Sequence, residues 1–362
     1  YTDVTKVKEK DFRATFEIKG KALYPKLDVL FAMMREILME SKLGDEKRLK
    51  EILSMLKTRL QTSFLSAGHT TAVLRSLSYT SPIARFRDIT SGIGFYEVVK
   101  DLEENFEERK ELLIENLKKI AGRIFRKENL MLSYTSAQEG LAVLEKAVPQ
   151  FADSLHTGEK ESHGQCIIHC KKRNEGFRTS SKVQYVARTG NFIDGGAEYT
   201  GALQILKVIL SYDYLWQNVR VKGGAYGCMS GFNRIGEGYL VSYRDPNLEK
   251  TMEIYEGVVD YLKNFDIDDR DMNKFIIGTI SNLDRPMNPA AKGSRSLNLY
   301  MNRITEEMIR REREQILDAQ QEDIRGLATV LEEVLAAGEL CVIGSEEKIE
   351  EAKEMFGEIR TL

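Results

Sequence analysis

An apolar helix that runs into paired glycines and leaves them as a strand constrains this chain more than any other feature. Residues 198–216 carry Leu203, Ile205, Leu206, Val208, Ile209 and Leu210 around nearly every side. Such a helix has no face for water and belongs inside a layered domain. It leads into Tyr214-Leu-Trp-Gln-Asn-Val-Arg-Val-Lys-Gly-Gly-Ala-Tyr-Gly-Cys228. Gly223 and Gly224 mark backbone that turns sharply or approaches something closely. Arg220, a charged fork of donors, and Tyr226, an O–H on a rigid ring, flank the turn and can be aimed at one anionic point. The plain alternative is a helix C-cap and turn with both side chains on the surface, and spacing alone leaves it open. A phosphate loop fits poorly. No G-x-x-x-x-G-K-S/T occurs, and the glycines lead into a strand where a phosphate cradle needs a helix N-terminus.

With 362 residues, 42% of them hydrophobic, the chain can bury real cores and reads as two domains. Its 53 basic and 56 acidic residues give a net charge of −3. That balance leaves no basic field, which argues against nucleic acid or an anionic membrane surface as partner. Four cysteines, Cys166, Cys170, Cys228 and Cys341, make no disulfide framework and suit a reducing compartment. No apolar run approaches the ~20 residues of a membrane helix. The first residues show no signal peptide, and so abrupt a start reads as a fragment.

Along the chain, residues 11–19 alternate as a strand, and amphipathic helices follow from Pro25, from Asp45, over 72–79, over 92–104 and from Asn105. Thr80-Ser-Pro-Ile reads as a turn. Asn129–Tyr134 reads as a strand, and Ser136 as the cap of a helix reaching Phe151. Polar residues 152–162 mark a domain boundary. Beyond it, strands are expected over 165–172 and 182–188 about a turn at Gly176, and a hairpin over 225–244 about Ile235-Gly236. Asp245-Pro246 opens a helix, others start near Asp268, Ser294 and Gln320, and a strand over 339–344 precedes a Ser345-capped helix. The element order of 11–151 recurs in 237–357. Arg75-Ser-Leu echoes Arg295-Ser-Leu, and the run from Asn129 echoes the run from Gly338. The economical fold class is α+β: two homologous domains, 1–155 and 160–362, each a mostly antiparallel sheet packed against helices.

Candidate chemistry outside the glycine turn is thin. His163-Gly-Gln-Cys-Ile-Ile-His-Cys170 resembles a zinc knuckle, but strand alternation sends Cys166 and Cys170 to one side and His169 to the other, and no second pair completes a tetrahedral site. His69 stands alone at a helix break, where capping or hydrogen bonding is the usual role. Neither H-E-x-x-H, H-x-x-E-H nor G-x-S-x-G is present. The Glu pairs at 103–104, 107–108 and 332–333 read as solvated helix faces.

The segments Tyr199-Thr-Gly-Ala-Leu, Leu210-Ser-Tyr-Asp-Tyr-Leu-Trp, Asn218-Val-Arg-Val-Lys-Gly-Gly-Ala-Tyr-Gly and Ser242-Tyr-Arg-Asp-Pro-Asn-Leu carry a resemblance. Over nearly its whole length the chain resembles the C-terminal half of presequence-protease-like zinc metallopeptidases of the pitrilysin/insulinase superfamily. The resemblance implies four homologous domains in two halves that close into a chamber around unfolded peptides. Zinc would be bound by an N-terminal half of the same polypeptide, and none by this chain. Residues 1–155 would be most of a third domain, its sheet short of a strand, and 160–362 the fourth. Arg220 and Tyr226 would reach the scissile peptide, with Gly223, Gly224 and Ala225 lining it. The chain alone would hydrolyse nothing. Bacterial cytoplasm is the expected compartment, with an organelle such as the mitochondrial matrix as the alternative. Two other readings stay in view: a catalytically silent partner subunit of the same superfamily, and a nucleotide-binding module, which ATP would stabilise against heat.

Overall fold

The computed structural model describes residues 2–6, 12–158 and 168–362. An antiparallel hairpin opens the chain, β1 (Thr2–Lys6) pairing with β2 (Phe12–Phe16). Pro25 lies in a 3-10 turn that starts α1 (Leu27–Met39). Asp45 caps α2 (Glu46–Ser66) by accepting the Arg48 N–H at 3.0 Å. Then come α3 (Gly68–Leu77), α4 (Pro82–Ser91), α5 (Ile93–Glu104), α6 (Phe106–Ile124) and α7 (Glu139–Asp153). The second part brings β3 (Glu175–Thr179), β4 (Tyr185–Asn191), α8 (Ala202–Tyr212), β5 (Gly227–Phe232) and β6 (Glu237–Tyr243). Helices α9 (Glu249–Glu256), α10 (Val258–Lys263), α11 (Asp269–Leu283), α12 (Pro289–Met301), α13 (Glu306–Leu317), α14 (Gln321–Gly326) and α15 (Ala328–Ala336) follow. β7 (Glu339–Ser345), α16 (Glu346–Glu351) and β8 (Glu358–Thr361) end the chain. Among the described residues no helix is long and apolar enough to cross a membrane.

The α+β architecture rests on one mixed sheet, ordered β5-β6-β4-β7-β3-β8. Its first three pairings are antiparallel and its last two parallel. Alternation along the central strands feeds both faces. Val186, Leu340 and Val342 join α8, α10 and α15 in one core, while Tyr185, Ala187, Cys341 and Ile343 face the other. That second face is covered by Phe64, Ala72, Ile93 and Tyr96, which come from α2, α3 and α5. A sheet drawn from the second part of the chain is thus roofed by helices of the first. This explains why β7 reads as an unbroken apolar run, as strands buried on both faces do.

The contact between roof and sheet is also polar. Arg75 on α3 is 1% exposed; its Nε and Nη2 donate to Glu175 of β3 at 2.5 and 2.8 Å, and its Nη1 donates to Asp88 at 2.7 Å. The Tyr79 hydroxyl adds a bond to Glu175 at 2.9 Å. Ser81 donates to Glu237 at 2.6 Å and Thr80 to Glu339 at 3.2 Å. Buried carboxylates are tolerated because each has a donor.

Several local expectations are corrected. Residues 129–134 form no strand: a 3-10 turn ends at Asn129, and Leu130 packs against Phe31 and Phe151 on α1 and α7 instead of entering a ladder. Ser136 does not cap α7, since its hydroxyl donates to the Ala137 carbonyl and the helix starts at Glu139. Pro82 is the first residue of a helix, with Ser81 accepting the Ala84 N–H at 3.2 Å. Of the strand expected over 165–172, residues 165–167 lie outside the described residues and 168–172 are irregular, while Gly176 sits inside β3. Asp245 does not cap its helix: its backbone pairs with Gln184 at 2.7 and 2.9 Å, which delays α9 to Glu249. The echoed segments fall in unlike surroundings. Arg75 is buried and Arg295 exposed, and irregular 129–134 stands against strand 339–345. Among the described residues the first part of the chain contributes only the β1-β2 hairpin as sheet.

Candidate functional site

Beyond α8 the chain re-enters helix as a π-helix over Trp216–Val221, which the apolar pattern did not reveal. A π turn closes on the fifth residue, and here the Lys222 N–H donates to the Gln217 carbonyl at 2.9 Å. The wider turn stacks the Arg220 guanidinium on Trp216, 3.9 Å from the ring centre. A cation over an indole is held in place while its N–H edge stays free to donate.

The two glycines are needed for different reasons. Gly224 has φ +81, the left-handed region that suits a residue without a Cβ. At Gly223 a Cβ would lie 2.4 Å from the Val219 carbonyl oxygen. That close approach is to the chain itself. The turn is closed by Gly224 N–H to the Arg220 carbonyl at 2.9 Å and Ala225 N–H to the Val219 carbonyl at 3.1 Å. Asn247 donates to the Gly223 carbonyl at 2.6 Å. Ala225 is 4% exposed with its methyl in the core, so its side chain turns away from solvent.

Tyr226 stands just before β5, an edge strand of the sheet, and is 68% exposed. Its N–H is shared between the carbonyls of Tyr243 and Arg244 at 3.1 and 3.3 Å. Its ring meets Tyr243 at 6.1 Å between centres, and Tyr243 in turn meets Tyr185 at 5.6 Å and His69 at 4.9 Å. Arg220 and Tyr226 therefore belong to one braced turn, and neither is in the core. Among the described residues the Arg220 guanidinium makes no ion pair and the Tyr226 hydroxyl no hydrogen bond.

Electrostatics under the turn follow burial. Burial pushes the Cys228 thiol up to about 11, against the opposing charge of Arg220, so the thiol is inert. Burial raises the Asp245 carboxyl too, opposed by the Thr251 hydroxyl at 2.7 Å and the Asn247 N–H at 2.9 Å. Burial lowers His69, whose Nδ1 is enclosed without a hydrogen-bond partner.

The remaining candidates do not join the site. His163 and Cys166 lie outside the described residues, and His169 and Cys170 sit on irregular chain. Among the described residues no group of three or more His, Cys, Asp or Glu could hold a metal ion. These residues do not fit a zinc centre. Glu103 and Glu104 pair with Lys57 at 2.8 and 3.5 Å, Glu107 with Lys110 at 3.0 Å, and Glu332 with Lys263 at 2.5 Å. Sequence reasoning missed Trp216, Tyr185, Tyr243, His69 and Arg244 as neighbours of the turn. Only the alternation of Tyr239, Val241 and Tyr243 along β6 hinted at a shared face.

Comparison with known proteins agrees with this geometry. A family described as associated with M16 peptidases of the C subfamily matches residues 1–102, and one described as "PreP C-terminal domain" matches 174–346. Protein HypA of Clostridium perfringens is 36% identical over 357 residues, 98% of this chain and 36% of that protein. Presequence protease 1, chloroplastic/mitochondrial, of Arabidopsis thaliana is 30% identical over 336 residues, 92% of this chain and 31% of that protein. The chain thus spans about a third of the length of these relatives. The crystal structure of pitrilysin shares the fold, with a TM-score of 0.53 at 10% identity over 88% of this chain and 33% of that one. Matched at both ends by these family descriptions and sharing that fold, the chain belongs to the M16 peptidases as the C-terminal half of a presequence-protease-like member.

Proposed function

We propose that this chain is the non-zinc-binding half of a zinc metalloendopeptidase that degrades unfolded peptides in a closed chamber, with Arg220 and Tyr226 holding the scissile peptide. The observation that carries the reading is a pair of donors without protein acceptors at one rigid glycine turn. Residues 1–155 and 160–362 are then the third and fourth peptidase-like domains, Gly223, Gly224 and Ala225 form the backbone beneath the peptide, and zinc belongs to the N-terminal half of the same polypeptide. The printed names of the relatives support a peptidase, and the clostridial relative supports bacterial cytoplasm as the compartment.

This chain's contribution is electrostatic. When a peptide carbonyl carbon turns tetrahedral, its oxygen gains charge, and a preorganised donor there is worth about 2.7–4 kcal/mol. Stacking on Trp216 and the bond from Tyr226 N–H fix the two donors before substrate arrives, which avoids reorganisation during the reaction. In the full-length protein Tyr226→Phe should lower kcat about 100-fold with little change in KM. A loss confined to KM would reduce Tyr226 to a binding role, and unchanged kinetics would end the reading. The isolated chain should hydrolyse nothing, with or without added zinc; EDTA-sensitive peptidase activity in it would contradict the assignment.

A further inference from the structure

Arg244 has φ +48, a left-handed backbone that strains any residue with a Cβ. It is held there from both sides. Asp245 is pinned to Gln184 by paired backbone bonds, and the Arg244 carbonyl takes part of the Tyr226 N–H. The side chain is exposed yet fixed. Its guanidinium lies 5.5 Å from the Tyr243 ring centre and donates to the Tyr185 hydroxyl, which itself donates to the Leu65 carbonyl at 2.6 Å. Other exposed arginines have counter-ions: Arg313 is bidentate to Asp284 at 2.7 and 2.7 Å, and Arg310 bridges Glu307 and Glu314. Among the described residues Arg244 pairs with no carboxylate.

Tyr226 and Arg244 flank the same Tyr243 ring. Their separation by way of that ring is at most about 12 Å, a span of about three to four extended residues. We propose that Arg244 is an anion subsite beside Tyr226 that captures a carboxylate of the bound peptide, either its C-terminus or an acidic side chain. The proposal rests on the peptidase reading above. A strained, preorganised guanidinium with free N–H groups matches a carboxylate in geometry as well as charge.

The test uses the full-length protein and two peptide pairs of otherwise identical sequence. One pair differs in a C-terminal carboxylate or amide, the other in Glu or Gln three to four residues from the cleaved bond. Binding is read by fluorescence anisotropy with a chelator present to suppress cleavage, and kcat/KM is read separately without it. The carboxylate member of at least one pair should bind about tenfold tighter, as a charge-assisted bond implies, and which pair does so identifies the carboxylate recognised. Arg244→Gln should collapse that ratio to about one. Arg244→Gly should collapse it equally while the Tm holds or rises, because glycine relieves the backbone strain. Absence of any preference in the wild type, or its survival in both variants, overturns the proposal. Lower Tm with the preference intact overturns it as well, assigning Arg244 to a contact within the protein. Tyr226→Phe kinetics on the neutral peptides test the peptidase reading separately, so either idea can fail alone.

Discussion

Arg75→Met should cost about 3–5 kcal/mol of folding stability at pH 7, the usual result of removing one partner from a buried ion pair. Arg75, Glu175 and Asp88 are 1%, 0% and 0% exposed, so no solvent replaces the lost guanidinium. Asp88 keeps Arg85 at 2.9 Å and the Gly94 N–H at 3.3 Å. Glu175 keeps the Tyr79 hydroxyl and a distant Arg173 at 3.6 Å, and it is the group left stranded. Burial pushes the Glu175 carboxyl up, and Arg75 more than reverses this, leaving it below the usual carboxylate range. A carboxylate lowered in the fold adds stability above its unfolded pKa of about 4.3 and loses it as pH falls through the folded value. Without Arg75 only burial remains, the carboxyl is raised, and stability falls as pH rises. The gap between wild type and variant should therefore be small near pH 3 and full by pH 7. Urea unfolding followed through Trp216, the single tryptophan, measures it. Arg75→Met combined with Glu175→Leu should recover at least half of the loss, because an apolar pair tolerates burial. A cost under about 1 kcal/mol at pH 7, the range of an exposed pair, or a gap equal at pH 3 and pH 7, would refute the reasoning.

Burial raises the Glu339 carboxyl to about 7. A raised acid takes its proton first in the fold, so wild-type stability should fall between about pH 4 and pH 7 and then level, whereas Glu339→Gln lacks the slope and should be more stable at pH 8 by up to about 3 kcal/mol, read from urea midpoints. Gly223→Ala should lower the Tm more than Gly224→Ala: the first drives a methyl into the Val219 carbonyl, while the second meets only left-handed strain of about 1–2 kcal/mol, and equal shifts would count against that distinction. Arg220→Ala should change Trp216 emission by removing the cation stacked at 3.9 Å, and an unaltered spectrum would mean that the stack is not populated in solution.

What could be read without coordinates was whatever a few neighbouring residues decide among themselves. Asp45, Asp268 and Ser345 cap their helices as short-range chemistry requires. Gly236, at φ +88, turns the β5-β6 hairpin where its glycine stood. The turn carrying Arg220 and Tyr226 was visible for the same reason, since its hydrogen bonds run between residues at most six apart. The run over 129–134 looked as strand-like as 339–345, but a strand needs a neighbour to take its hydrogen bonds, and only β7 has β4 and β3 beside it. The same limit hid the aromatic row: Tyr185 and His69 reach Tyr243 from distant segments, and nothing local announces that meeting.

From its sequence alone this protein was set as an α+β chain with an all-round apolar helix inside and a glycine turn presenting an arginine and a tyrosine, because periodicity, capping and glycine's missing Cβ act over one or two turns of chain. Tertiary structure alone decided that helices of the first part roof the sheet of the second, that Arg75 finds Glu175 a hundred residues away, and that Arg244 is twisted into place beside Tyr226. Those outcomes depend on which buried charges and strand edges remain to be satisfied once the layers have packed, a condition that no short stretch of residues contains.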